Sequence, residues 1–75
     1  METEIAEILS VLFNKKISPK DNISSKDEPD WDSFKHIEII MVLEENLGIK
    51  FNRDEIPTLN SFKKIVKKIK QIKGL

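Results

Sequence analysis

Seventy-five residues can build one small hydrophobic core and little more, so a single domain, residues 1–75, is expected and a large enclosed active site is excluded. Thirteen lysines and arginines balance thirteen aspartates and glutamates, a formal net charge of zero that provides no overall field to hold a polyanion. The absence of cysteine excludes a disulfide framework, a thiolate nucleophile and a cysteine-bound metal.

The charges are segregated. Asp27, Glu28, Asp30, Asp32, Glu38, Glu44 and Glu45 fill the middle of the chain, and Lys63, Lys64, Lys67, Lys68, Lys70 and Lys73 fill its end, so two opposed surfaces are expected. Met1-Glu2-Thr3-Glu4 runs straight into an amphipathic pattern without the basic flank and apolar stretch of a signal peptide. No apolar run approaches the ~20 residues that span a bilayer. A soluble, cytoplasmic protein is expected.

Ile5, Ile8, Leu9 and Leu12 recur at three- and four-residue steps and predict a first helix from near Thr3 to near Lys15. From Lys16 to Trp31 the periodicity fails, and Pro19, Asp21, Asn22, Ser24, Ser25 and Pro29 predict a long loop, pinned to the bundle by Ile17, Ile23 and Trp31. A second helix is predicted from Ser33 to Asn46, capped by Asp32 or Ser33 and closed by Gly48. Asn52 is read as the cap of a short third helical turn, Arg53 to Ile56, stopped by Pro57. Asn60 or Ser61 caps the last helix, whose stripe of Phe62, Ile65, Val66, Ile69 and Ile72 lies opposite the lysines. The fold class is therefore all-α: a small bundle of three principal helices plus one short helix, with a long loop between helices one and two.

The second helix carries more apolar surface than one face can bury. Ile39, Ile40, Leu43 and Leu47 share the arc suited to the core, whereas Phe34, Ile37 and Met41 form a second strip, with Glu38 and Glu45 along its edge and Glu44 on its other side. Exposed, that strip has the makeup of a protein contact surface; the alternative is that the long loop covers it. An Asp-Ser pair at a helix start is by itself only a cap.

In register with the rest of the chain, Asp32-Ser33-Phe34 resembles the acyl carrier protein family, in which a serine in an Asp-Ser-Leu motif at the start of the second helix carries 4′-phosphopantetheine. The run Ile37-Glu38-Ile39-Ile40-Met41-Val42-Leu43-Glu44-Glu45-Asn46-Leu47-Gly48-Ile49 is similar to the family's acidic recognition helix and its glycine exit, and Ile56-Pro57-Thr58-Leu59 to the end of its short third helix. With the first loop, the resemblance covers nearly the whole chain. It departs at Phe34, where leucine is usual, at Lys35 and His36, where an acid and a threonine are frequent, and in the lysine-rich last helix. Those departures suit a discrete carrier of a specialised pathway better than one of bulk fatty acid synthesis.

The resemblance implies a covalent 4′-phosphopantetheine on Ser33, installed from coenzyme A by a phosphopantetheinyl transferase with Mg²⁺, and an acyl group held on its thiol as a thioester. It also implies acyl-loading and acyl-consuming enzymes as partners, met through Asp32, Phe34, Ile37, Glu38, Met41, Glu44 and Glu45 by a protein that is itself a monomer and not an enzyme. The residues agree on the last point, since no nucleophile, base and oxyanion donors can be assembled from them. No metal site is expected beside the single histidine. His36, one turn after Ser33, either reaches the phosphate or is a partly buried side chain with a backbone partner; Trp31 is read as an anchor between loop and bundle, and Met41 as packing or as the lining of an acyl cavity. Competing readings keep the arm and change the cargo to aminoacyl, peptidyl or polyketide-type groups, or drop the arm for a small interaction module. Such a module would scaffold partners, or bind anionic lipid or nucleic acid through the basic last helix.

Overall fold

A computed structural model describes all of residues 1–75. Its elements are α1 (Glu2–Phe13), a 3-10 turn (Pro19–Asp21), α2 (Ser33–Leu47), a second 3-10 turn (Ile56–Thr58) and α3 (Phe62–Lys73), so the fold is all-α. None of the helices is long and apolar enough to cross a membrane.

Each α-helix contributes two side chains to the centre of the core. Ile5 and Leu9 from α1, Ile39 and Leu43 from α2, and Ile65 and Ile69 from α3 are fully buried, at the four-residue spacing that puts each pair on one face of its helix. Phe13, Ile17, Trp31, Ile49, Phe51, Leu59 and Phe62 extend this into one cluster of 17 residues. Ile72, expected on the buried stripe of α3, is instead 40 % exposed: the stripe ends at Ile69, and the last turn of α3 projects beyond the core.

The helices end where backbone chemistry ends them. Asn14 takes the left-handed conformation (φ 53°) and closes α1 two residues short of the expected Lys15; its N–H donates to the Val11 carbonyl (3.2 Å). Gly48 (φ 64°) closes α2 after Leu47, where a side chain would be strained. Ser61 caps α3 by accepting from the Lys64 N–H at 3.2 Å.

Residues 14–32 connect α1 to α2 and are fastened along their length. Ser10 donates its hydroxyl hydrogen to Ala6 O (2.7 Å) and accepts from the Ile17 N–H (2.9 Å), which draws buried Ile17 against α1. Ser18 and Asp21 form a reciprocal capping box around the first 3-10 turn. Further on, the Ser25 N–H donates to Asn60 O (2.9 Å) and the Phe62 N–H to Ile23 O (2.8 Å), which tie this segment to the start of α3. Glu28 is buried and ion-paired to Lys15. It therefore belongs to the frame and not to the acidic surface in which the sequence placed it.

The short element after α2 also differs from expectation. Residues 53–55 form a turn, and the 3-10 helix runs Ile56–Thr58 with Pro57 inside its first positions. Proline lacks only an N–H that has no partner in a first turn, so Pro57 helps start this element and does not stop it.

Candidate functional site

Asp32 is the N-cap of α2, and its carboxylate accepts from the Lys35 N–H at 2.8 Å. Ser33 is therefore the first helical residue, exposed to solvent, at the end of a 15-residue helix. The first intrahelical bond is donated by His36 to Asp32 O (2.9 Å), which leaves the N–H groups of Ser33 and Phe34 without a backbone acceptor. These free donors, with the positive end of the helix dipole, favour an anion on the Ser33 oxygen.

Ser33 opens onto a surface groove of about 640 Å³, lined also by Ser25, Trp31, Asp32, His36, Ile37 and Asn60, with Ile56 and Pro57 of the second 3-10 turn on the opposite bank. One histidine joins the two banks. The indole N–H of Trp31 donates to His36 Nδ1 (3.0 Å), and His36 Nε2 meets the Ile56 carbonyl oxygen at 2.7 Å. An indole nitrogen can only donate and a carbonyl oxygen only accept, so the network assigns neutral His36 with its proton on Nε2. The two rings stack at 28° with centroids 6.1 Å apart, and Trp31 also packs against Phe13 of α1 (5.7 Å).

This arrangement decides between the two expectations for His36. Both ring nitrogens are engaged, one by a backbone carbonyl, so His36 has no free nitrogen to meet a group on Ser33 or to act as its base. Asp32 has one carboxylate oxygen committed to the cap, and a lone carboxylate is too weak a base to ionise a serine hydroxyl. The Ser33 hydroxyl consequently has no neighbour in this chain to deprotonate it.

Beyond Ser33, the apolar strip of α2 lies open: Phe34 is 82 %, Ile37 51 % and Met41 62 % exposed. Residues 14–32 do not cover it, because Ile17 and Trp31 turn into the core. Met41 stands on the surface, which removes it as the lining of an interior cavity. The acids beside the strip are not equivalent. Glu45 is exposed, whereas Glu38 is ion-paired to Lys35 (2.9 Å) one turn before it. Glu44 is half-buried and accepts from the Phe51 N–H (2.9 Å), so it fastens residues 49–51 to the end of α2. Lys35 also donates to Leu12 O (2.9 Å) and lies 5.8 Å from the Phe13 ring centre, which clamps the first turn of α2 onto α1.

The far bank is held from α3. Lys68 pairs with Glu55 just before the second 3-10 turn, and the hydrogen bond from Lys68 holds the Glu55 carboxyl below the usual carboxylate range. Lys70 pairs with Glu2, while Phe62, Ile65, Val66 and Ile69 on the apolar side of α3 are buried in the core.

The Trp31–His36–Ile56 chain of bonds is the part of the site that the sequence reading missed. Its signal was present: Trp31 and His36 stand immediately before the N-cap and at the fourth helical position, the spacing of a hydrophobic staple. Compared with known proteins, the chain matches no family model, no curated protein and no solved structure.

Proposed function

We propose that this chain is a carrier protein that presents an acyl group, held on a 4′-phosphopantetheine arm attached to Ser33, to successive partner enzymes. The observation that carries the reading is Ser33 itself, an exposed hydroxyl at the unpaired amide end of a long helix, with nothing beside it to make it a nucleophile in its own right. When bound, the arm supplies the thiol that this cysteine-free chain lacks, and with it a thioester linkage to cargo. The bundle of three principal helices, the short element at residues 56–58 and the long connection from α1 to α2 all serve to hold that one serine outward.

Attachment needs a second protein. In the transferase's site the Ser33 oxygen would attack the pantetheine-bearing phosphorus of coenzyme A. The pyrophosphate bond would break, 3′,5′-ADP would leave with the bonding pair, and the serine proton would pass to a base of the transferase. Asp32 fixes the helix start through the Lys35 N–H, and the Ser33 and Phe34 amides receive the resulting phosphodiester. Transfer of a fluorescent arm from labelled coenzyme A by a broad-specificity transferase with Mg²⁺ is expected to label the native protein and Ser25→Ala, the other serine of the groove, but not Ser33→Ala. Labelling of Ser33→Ala would overturn the reading.

Phe34, Ile37 and Met41 offer apolar contact, and Glu45, with Glu38 beside it, offers charge to basic residues on such partners. Exposed ion pairs are worth about 0–1 kcal/mol each, which suits short visits. Glu45→Lys is expected to slow arm loading by roughly two- to tenfold at low salt, a deficit that shrinks as salt screens the surface, with the melting temperature unchanged. Equal loading rates at every salt concentration would remove Glu45 from the docking surface.

A further inference from the structure

We infer that His36 bars the interior of the bundle to cargo, so that whatever the arm carries stays at the surface, and that the cargo class of this carrier is a short polar acyl group and not a long alkyl chain. The inference rests on the carrier reading and deepens it. An alkyl chain following the arm inward from Ser33 would have to pass between α2 and the 3-10 turn Ile56–Thr58, the two banks of the groove. His36 spans that passage, with Nδ1 held by the buried Trp31 indole (3.0 Å) and Nε2 bonded to Ile56 O (2.7 Å).

Parting the banks breaks the His36–Ile56 bond and leaves the Nε2–H and a backbone carbonyl without partners, while a methylene chain has nothing to offer either of them; the Trp31 bond, within the α2 bank, holds the ring in place across the passage. Beyond the groove the core is closed to solvent. Ile39, Leu43 and Ile65 are fully buried, and Ile40, Leu59 and Phe62 are each 3 % exposed. Protein interiors are close-packed and admit extra methylenes only by displacing what is there.

The surface that remains for cargo is mixed. The hydroxyl of Ser25, the carboxylate of Asp32 and the side-chain amide of Asn60 line the groove with Trp31, Ile37 and Ile56. Of these, Asp32 has one carboxylate oxygen engaged by the Lys35 N–H, and the Asn60 oxygen accepts from Lys64 at 3.3 Å. Such a lining can hydrogen-bond a hydroxyl or an amino group, and its apolar part is a shallow open surface of Trp31, Ile37, Ile56 and Pro57 that does not enclose an eight-carbon chain.

The test uses the whole chain loaded on Ser33 from three donors: coenzyme A, octanoyl-coenzyme A and 3-hydroxybutyryl-coenzyme A, each loading checked by mass. Melting temperature and retention on a hydrophobic column are then read for the three products. The octanoyl form is expected to melt with the unacylated form and to be retained longer, because its chain is exposed; the hydroxybutyryl form is expected to match the unacylated form in both. In His36→Ala, which opens the passage, octanoyl loading is expected to raise the melting temperature and to reduce that extra retention. A native octanoyl form that melts higher and elutes with the unacylated form would overturn the inference while leaving the carrier reading intact. Should His36→Ala not fold, the native comparison decides alone. Failure of all three donors to add mass, with a known carrier loaded in parallel, would bring down the carrier reading, and the inference with it.

Discussion

Leu43→Ala is expected to bring this protein to the edge of unfolding. Leu43 has no solvent exposure and lies in the middle of α2, where it meets the core shared with Ile5 and Leu9 of α1 and Ile65 and Ile69 of α3. Truncating a buried leucine to alanine costs about 2–5 kcal/mol, the upper end applying where neighbours cannot collapse into the space. Three of the core residues it meets, Ile5, Ile65 and Ile69, are β-branched side chains on two other helices, stiff groups that move little. Against that loss, a chain of 75 residues has roughly 4–11 kcal/mol of stability in all, at ~0.05–0.15 kcal/mol per residue. Urea denaturation followed by circular dichroism should show a midpoint shifted far toward zero denaturant. A shift no larger than that of a surface substitution would mean that the three helices do not share this core.

Trp31→Ala is expected to be nearly as damaging, and in a more local way. Trp31 is 4 % exposed, packs on Phe13 and holds His36. Its removal should cost about 3–5 kcal/mol, the range for truncating a large buried aromatic. The loss would fall where residues 14–32 join α2, immediately before the Asp32 cap. Trp31→Phe separates the two contributions, since it keeps most of the packing and deletes the indole donor, leaving His36 Nδ1 unpaired at a cost of about 1–3 kcal/mol. Denaturation of both variants by circular dichroism gives their ranking. Equal losses for Phe and Ala would assign the effect to the hydrogen bond; a negligible loss for Phe would remove the bond from the account.

The parts of the fold that were legible in the sequence are those fixed by local chemistry. The arc Ile39, Ile40, Leu43 and Leu47, the Asp32 cap and the Gly48 exit are set by helical period and terminus chemistry, and α2 differs from expectation by one residue at its end. Pro57 was misread because one residue type starts a helical turn as readily as it stops one, and the choice depends on where the preceding turn closes. Glu28, Glu44 and Ile72 were misplaced for a different reason. Carboxylates at positions 28 and 44 look like surface charges until Lys15 and the Phe51 N–H are brought to them across 13 and 7 residues, and an apolar residue on a stripe stays exposed when the core ends before it does. At the site, Ser33 could be placed from sequence because a helix start is local. A backbone partner for His36 was among the expectations, but not which carbonyl it meets, because that carbonyl lies 20 residues away.

The most direct measurement is the intact mass of the native protein after incubation with coenzyme A, Mg²⁺ and a phosphopantetheinyl transferase, followed by tryptic mapping. Cleavage after Lys26 and Lys35 yields Asp27-Glu28-Pro29-Asp30-Trp31-Asp32-Ser33-Phe34-Lys35, in which Ser33 is the sole hydroxyl-bearing residue. The carrier account predicts the added mass of one phosphopantetheine, confined to that peptide. No added mass beside a carrier modified in the same tube, or an addition on any other peptide, would contradict it.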